Sequence, residues 1–253
     1  MNNGSTLLDA DLETLQAGSN YQFSATKIDA LGAAEYTLAT IVEDASGSVA
    51  GYSVELETTI KTVFKAMFKS PRKDNLMLRL TQFANDVQEL HGFKLLGAIN
   101  ETDYTNVLKI GGNTALFDAL DEAIAATATY GKQLTAQDYL VNAIIVAVTD
   151  GQNNHGNIRH AEQIKKALLQ AQKSENLESI TVILVGVTND DVNLDVYLQE
   201  FKDLAGITQY TSIGKATPQR LAKLAQFVSQ SISSTSAALG SGAPSQPITN
   251  PTF

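Results

Sequence analysis

An α/β fold, a mostly parallel and doubly wound sheet with helices on both faces, is predicted by three observations. Short β-branched apolar runs alternate with longer stretches in which apolar residues recur every three or four positions. The strongest runs, residues 36–42, 143–148 and 180–187, are apolar almost throughout, as strands covered on both faces are. Two further runs are separated only by Asn85-Asp86, which reads as the turn of a single antiparallel hairpin.

Taken in order, residues 1–20 are polar at both ends, and Leu7, Leu8, Leu12 and Leu15 are spaced for one short helix. Residues 21–28 alternate weakly, as a strand would. Residues 36–42 form a buried strand that runs into Glu43-Asp44. Leu56, Ile60, Val63, Phe64 and Met67 mark a helix over 54–68, closed by Pro71. Residues 75–83 and 87–96 are the hairpin strands. Leu116, Phe117, Leu120 and Ile124 place a helix over 114–126. Strand 143–148, helix 158–173, strand 180–187, helix 192–204 with Gly206 as its stop, and strand 209–213 follow. Thr217 and Pro218 open the last helix as N-cap and first residue, with Leu221, Leu224, Ala225, Val228 and Ile232 as its apolar stripe. Beyond it the chain turns Ser-, Ala-, Gly- and Pro-rich, so 236–253 reads as a flexible tail. Residues 36–235 then form the domain and 1–35 an extension.

Composition narrows the function. The net charge of −9 over 253 residues argues against nucleic acid and against anionic lipid as partners. There are no cysteines, which excludes disulfides, zinc–thiolate sites and Cys nucleophiles. The first basic residue is Lys27, and no apolar stretch resembles a secretory leader or a membrane span. A soluble cytoplasmic protein is expected.

Five oxygen-bearing side chains stand out against this background. Asp44, Ser46 and Ser48 form a D-x-S-x-S run at the end of the first buried strand. Thr114 follows Gly111-Gly112-Asn113 where a helix opens, and Asp150 lies in Thr149-Asp150-Gly151 at the end of strand 143–148. Ligands of doubly wound sheets bind beyond the carboxyl ends of the strands, where the strand order reverses. The most apolar strands belong in the centre, so the topology can bring Asp44 and Asp150 together there. Two carboxylates and three hydroxyls are hard donors, suited to Mg²⁺ or Mn²⁺ and poorly suited to Zn²⁺. The bland alternative is that Asp44 and Ser46 merely cap a turn.

These residues resemble the metal-ion-dependent adhesion site of von Willebrand factor A domains. The resemblance covers about residues 36–232 and includes the run from Asn113 to Leu120 and the hairpin. It implies a Rossmann-like fold of about six strands with the hairpin at an edge. It makes Ser46, Ser48 and Thr114 the hydroxyl ligands and Asp44 and Asp150 ligands directly or through water. It further implies a protein-binding role, in which a partner's Glu or Asp is captured on the metal. Asn113, Gly151, Gln152 and His155 would rim the site. Members inside cells often partner AAA+ ATPases or serve stress and conflict systems, so such a partner is implied by analogy. Glu43, an extra carboxylate beside Asp44, departs from the pattern.

Rival readings are a metal-dependent hydrolase on the same fold, and a scaffold whose metal is purely structural while the tail does the docking. No phosphate loop, G-x-G-x-x-G, G-x-S-x-G or H-E-x-x-H motif occurs. Glu43-Asp44 and Lys215 echo a phosphoacceptor receiver, but Asp150 lies too far along the chain to be its acceptor. His91 reads as an edge-strand residue and His160 as a solvent-facing helix start.

Overall fold

The computed structural model describes residues 11–253. Eight strands form one sheet: β1 (Leu12–Ala17), β2 (Tyr21–Thr26), β3 (Glu35–Asp44), β4 (Leu76–Phe83), β5 (Val87–Leu95), β6 (Leu140–Thr149), β7 (Ser179–Gly186) and β8 (Gln209–Ser212). Five α-helices cover it: α1 (Ser53–Phe68), α2 (Leu116–Thr135), α3 (Ala161–Lys173), α4 (Val192–Ala205) and α5 (Pro218–Ser241). The strand order is β1-β2-β5-β4-β3-β6-β7-β8. β3 is parallel to β4 and β6, and β6-β7-β8 continue in parallel.

The apolar runs have the cause the sequence suggested. β3 is buried from Tyr36 to Asp44 because helices cover both of its faces. Leu38 and Val42 join a core formed with α2, α3 and α4. Ala39 and Ile41 alternate with them and join a second core formed with α1 and α5. From β3 the chain builds β4 and β5 on one side and then returns to place β6 on the other. The strand order therefore reverses between β3 and β6, and the crevice at their carboxyl ends is the switch point.

The N-terminal region differs from its reading. Leu12 and Leu15 lie in β1, not in a helix, while Leu7 and Leu8 fall outside the described residues. Gly18, with φ of 62°, turns the chain back into β2, so Leu15 pairs with Phe23 and Ala17 with Tyr21. This second antiparallel pair extends the sheet to eight strands rather than about six. It also moves the β4–β5 hairpin inside the sheet, because β2 pairs with β5 at Ala25 and Phe93.

Gly92 makes that pairing possible. A Cβ there would lie 1.9 Å from the Ser24 carbonyl oxygen. Around it, the Ser24 N–H and hydroxyl donate to Glu89 Oε1 at 2.9 and 2.6 Å, and the Thr26 hydroxyl donates to the Phe93 carbonyl at 2.9 Å. Gly92→Ala is expected to push β2 off β5 and to cost about 1–3 kcal/mol. The check is a lower urea midpoint, with faster amide exchange confined to β1 and β2.

His91 is not at an edge, because β2 flanks its strand. A carbonyl can only accept, so His91 Nδ1 donates to Gly92 O at 2.9 Å and Nε2 accepts from the Tyr104 hydroxyl at 2.9 Å. Burial, ahead of the Lys94 and Arg79 charges, pushes its pKa down from 6.5 to about 4. Between those values the unfolded chain holds the extra proton and the fold does not. Stability should therefore fall as pH drops from about 6.5 towards 4. Denaturation curves at neutral and mildly acidic pH should lose that share of the slope in His91→Leu.

The C-terminal segment read as a flexible tail packs on the domain. α5 runs to Ser241, with Gly242 (φ of 69°) as its C-cap. The Ser179 hydroxyl donates to Ser245 Oγ at 2.7 Å, Asn250 Nδ2 donates to Tyr210 O at 2.8 Å, and Ile248 and Phe253 pack against the α1–α5 core. Polar side chains at the starts of β6, β7 and β8 supply partners that composition alone does not reveal. Among the described residues, no helix is long and apolar enough to cross a membrane.

Candidate metal centre

Asp44 ends β3 and Asp150 directly follows β6, so the two adjacent parallel strands deliver both carboxylates to the switch point. The loop after β3 is held to the loop before α2 by its backbone. Gly111 N–H donates to Ala45 O at 2.8 Å and Gly47 N–H to Gly112 O at 3.1 Å. Gly111 and Gly112 have φ of 152° and 85°, conformations that glycine adopts without strain.

The expected residues meet. Ser46 N–H donates to Asp44 Oδ1 at 2.8 Å, and the Ser46 and Ser48 hydroxyls are 2.9 Å apart. The Ser48 hydroxyl donates to Asp150 Oδ1 at 2.5 Å. Gly151 brings the third segment in, since a Cβ there would lie 3.1 Å from Thr114 Oγ1. Asp44, Ser46, Thr114 and Asp150 are buried, whereas Ser48 is exposed at the rim.

Several residues that the sequence did not single out hold this arrangement. The Thr149 hydroxyl donates to Asp44 Oδ2 and the Tyr52 hydroxyl to Asp150 Oδ2, both at 2.6 Å. Asn154 Oδ1 accepts from Thr114 N–H at 2.8 Å, and Asn153 Oδ1 accepts from Phe117 N–H at 3.0 Å. Asp118 accepts from the Asn157 and Ile158 amides, which starts α3 at Ala161 rather than at 158. The Asn153-Asn154 pair beside Asp150 was the available signal, as side-chain amides commonly bind loop backbone. Tyr52 carried none, because its contact spans 98 positions.

The rim residues divide. Asn113 and Gln152 are exposed, and Asn113 is pinned by Asn85 Oδ1, which accepts from its N–H at 2.9 Å. His155 is half-buried, and its N–H donates to Thr114 O at 3.2 Å. His160 is exposed at the N-cap of α3, as expected.

Burial raises the Asp44 pKa, opposed by its hydrogen bonds from Ser46 and Thr149. Burial and then the Asp44 charge push Glu43 well above the ordinary carboxylate range, favouring its neutral form. Glu43 lies on the α1–α5 side of β3, with Oε1 buried and unpaired. Burial and the Asp150 contact raise the Tyr52 hydroxyl, which therefore stays a donor.

The donors fit a hard divalent cation. The Ser46 and Ser48 hydroxyls and the Asp150 carboxylate stand within hydrogen-bond distance in sequence, Asp44 joins them through the Ser46 N–H, and Thr114 adjoins them through Gly151. Among the described residues no group of three or more His, Cys, Asp or Glu forms a metal cage. A site with only two acids and otherwise hydroxyls is of a different type.

Residues 40–230 match the model of the von Willebrand factor type A domain, and the chain belongs to that family. Its fold is similar to the PilB minor pilin of Streptococcus sanguinis, with TM-score 0.57 and 17% identity over 83% of this chain and 64% of that one. It is similar to proximal thread matrix protein 1 of the mussel byssus with a zinc-occupied MIDAS motif, at TM-score 0.51 and 19% identity over 78% and 46% of the two chains. The ArnB paralog VWA2 of Sulfolobus acidocaldarius has TM-score 0.50 and 12% identity over 88% and 55%. The chain spans less than two thirds of each of these structures, and identities this low speak for the fold alone. No curated protein matches in sequence.

Proposed function

We propose that this domain binds a divalent cation, Mg²⁺ before Mn²⁺, through Asp44, Ser46, Ser48, Thr114 and Asp150, and uses it to hold an acidic side chain of a partner protein. The observation that carries the reading is the Ser48 hydroxyl, which joins Ser46 to Asp150 across the switch point. Two carboxylates leave such a site neutral, so a partner's Glu or Asp adds a favourable anionic oxygen without competing with a third acid. All donors are oxygen, which favours Mg²⁺ over the zinc named for the byssal protein. The domain acts by binding rather than catalysis: the hydroxyls and amides around the two acids secure loops, and neither acid is set apart as a base.

The test is a thermal melt in Mg²⁺, Mn²⁺, Zn²⁺ and EDTA. A cation that binds only the folded chain adds about 2.7 kcal/mol at a hundredfold excess over Kd. A stabilisation that is strongest in Mg²⁺ supports the reading. Identical melts in Mg²⁺ and EDTA would remove it.

A further inference from the structure

We propose that the outward face of α3 and α4 docks a second copy of this chain, in a two-fold pairing of each copy's α3 with the other's α4. Among the described residues, seven large hydrophobic side chains are exposed, and four of them, Leu169, Val192, Val196 and Leu204, lie on these two helices. The helices adjoin: Lys165 Cγ is 3.7 Å from where a Cβ on Gly206, the α4 cap, would sit.

The two stripes differ in charge. On α3, Lys165, Leu169 and Lys173 recur every four residues, and with Lys166, Gln170 and a single acid, Glu162, they line a shallow, open surface along the helix. On α4, Val192, Val196, Glu200 and Leu204 recur every four residues, with Asp203, which pairs with Lys202 at 3.0 Å, beside them. Among the described residues none of Lys165, Lys166, Lys173 and Glu200 has an ion-pair partner within the chain. A lysine–leucine stripe thus sits beside an acidic–valine stripe on one surface. A two-fold axis brings each onto the other twice, because an isologous interface repeats every contact. Helices of 13 and 14 residues are about 20 Å long. Side by side they give a footprint at the small end of specific interfaces, so association at micromolar protein is expected.

Sedimentation of the full chain from about 1 to about 500 µM tests this. A particle of twice the chain's mass should form, equally in Mg²⁺ and in EDTA, which separates the result from the metal reading. Leu204→Glu should weaken it at least about tenfold, as should Lys166→Glu with Lys173→Glu, or Glu200→Lys with Asp203→Lys. These side chains are exposed, and unchanged melts would show that the variants fold. All four charge reversals in one chain should return the affinity to within about threefold of wild type. A monomer throughout, a dimer indifferent to Leu204→Glu, or no rescue by the combined reversals would overturn the proposal.

Discussion

Asp150→Ala is expected to abolish the rise in melting temperature that Mg²⁺ gives the wild type, and with it Mg²⁺-dependent binding to acidic partners. Asp150 Oδ1 and Oδ2 are both turned towards the chain between β3 and α1, where they accept from Ser48 and Tyr52. Removing this carboxylate leaves Asp44 as the sole full negative charge at the proposed site, too little for a divalent cation in competition with water. The metal-free fold should survive. Ser48 is exposed and Tyr52 half-buried, so their hydroxyls can turn to water, at a cost of about 1–3 kcal/mol. Asp44→Asn offers a second, nearly isosteric route to the same loss, since Asn Oδ1 can still accept from Ser46 N–H while its amide nitrogen donates to a turned Thr149 hydroxyl. An undiminished Mg²⁺ response in both folded variants would remove these residues from the site.

What could be read from sequence follows from where the information lies. β3, β6 and β7 are covered on both faces, so burial alone demands continuous apolar runs, and these are visible without a partner. Asp44 and Asp150 were legible because each follows such a run, and the switch-point rule converts that position into proximity. β1 and β2 were not legible in the same way. Leu12 and Leu15 fit a helical spacing, and only the Phe23 and Ala25 partners in β2 and the bare backbone of Gly92 in β5 decide for a strand. The final segment failed for a related reason: its Ser245 and Asn250 contacts are polar and distant in sequence, and leave no periodic trace. Tyr52 and Thr149 act through contacts 98 and 105 positions away.

Glu122→Ala should destabilise the protein more than any change at the metal site, by about 3–5 kcal/mol. Arg79, on β4, is 1% exposed, and its Nη1 and Nη2 donate to Glu122 Oε2 and Oε1 at 3.0 and 2.6 Å. Its Nε donates to Glu89 Oε2 at 2.8 Å, and its guanidinium lies 5.8 Å from the ring centroids of Phe23 and Phe93. One buried cation therefore ties α2 to β4 and β5, and through Glu89 and Ser24 to β2. Truncating Glu122 strands the guanidinium in an apolar layer with a single, half-buried acid. Glu122→Gln should cost less, because its amide oxygen still accepts one of the two bonds. Arg79→Met with Glu122→Leu should recover most of the loss, since removing both charges also removes their desolvation penalty. Urea denaturation of the three variants separates the outcomes. A loss below about 1 kcal/mol for Glu122→Ala would mean that Glu89 alone suffices for Arg79, and that β5 rather than α2 anchors the buried charge.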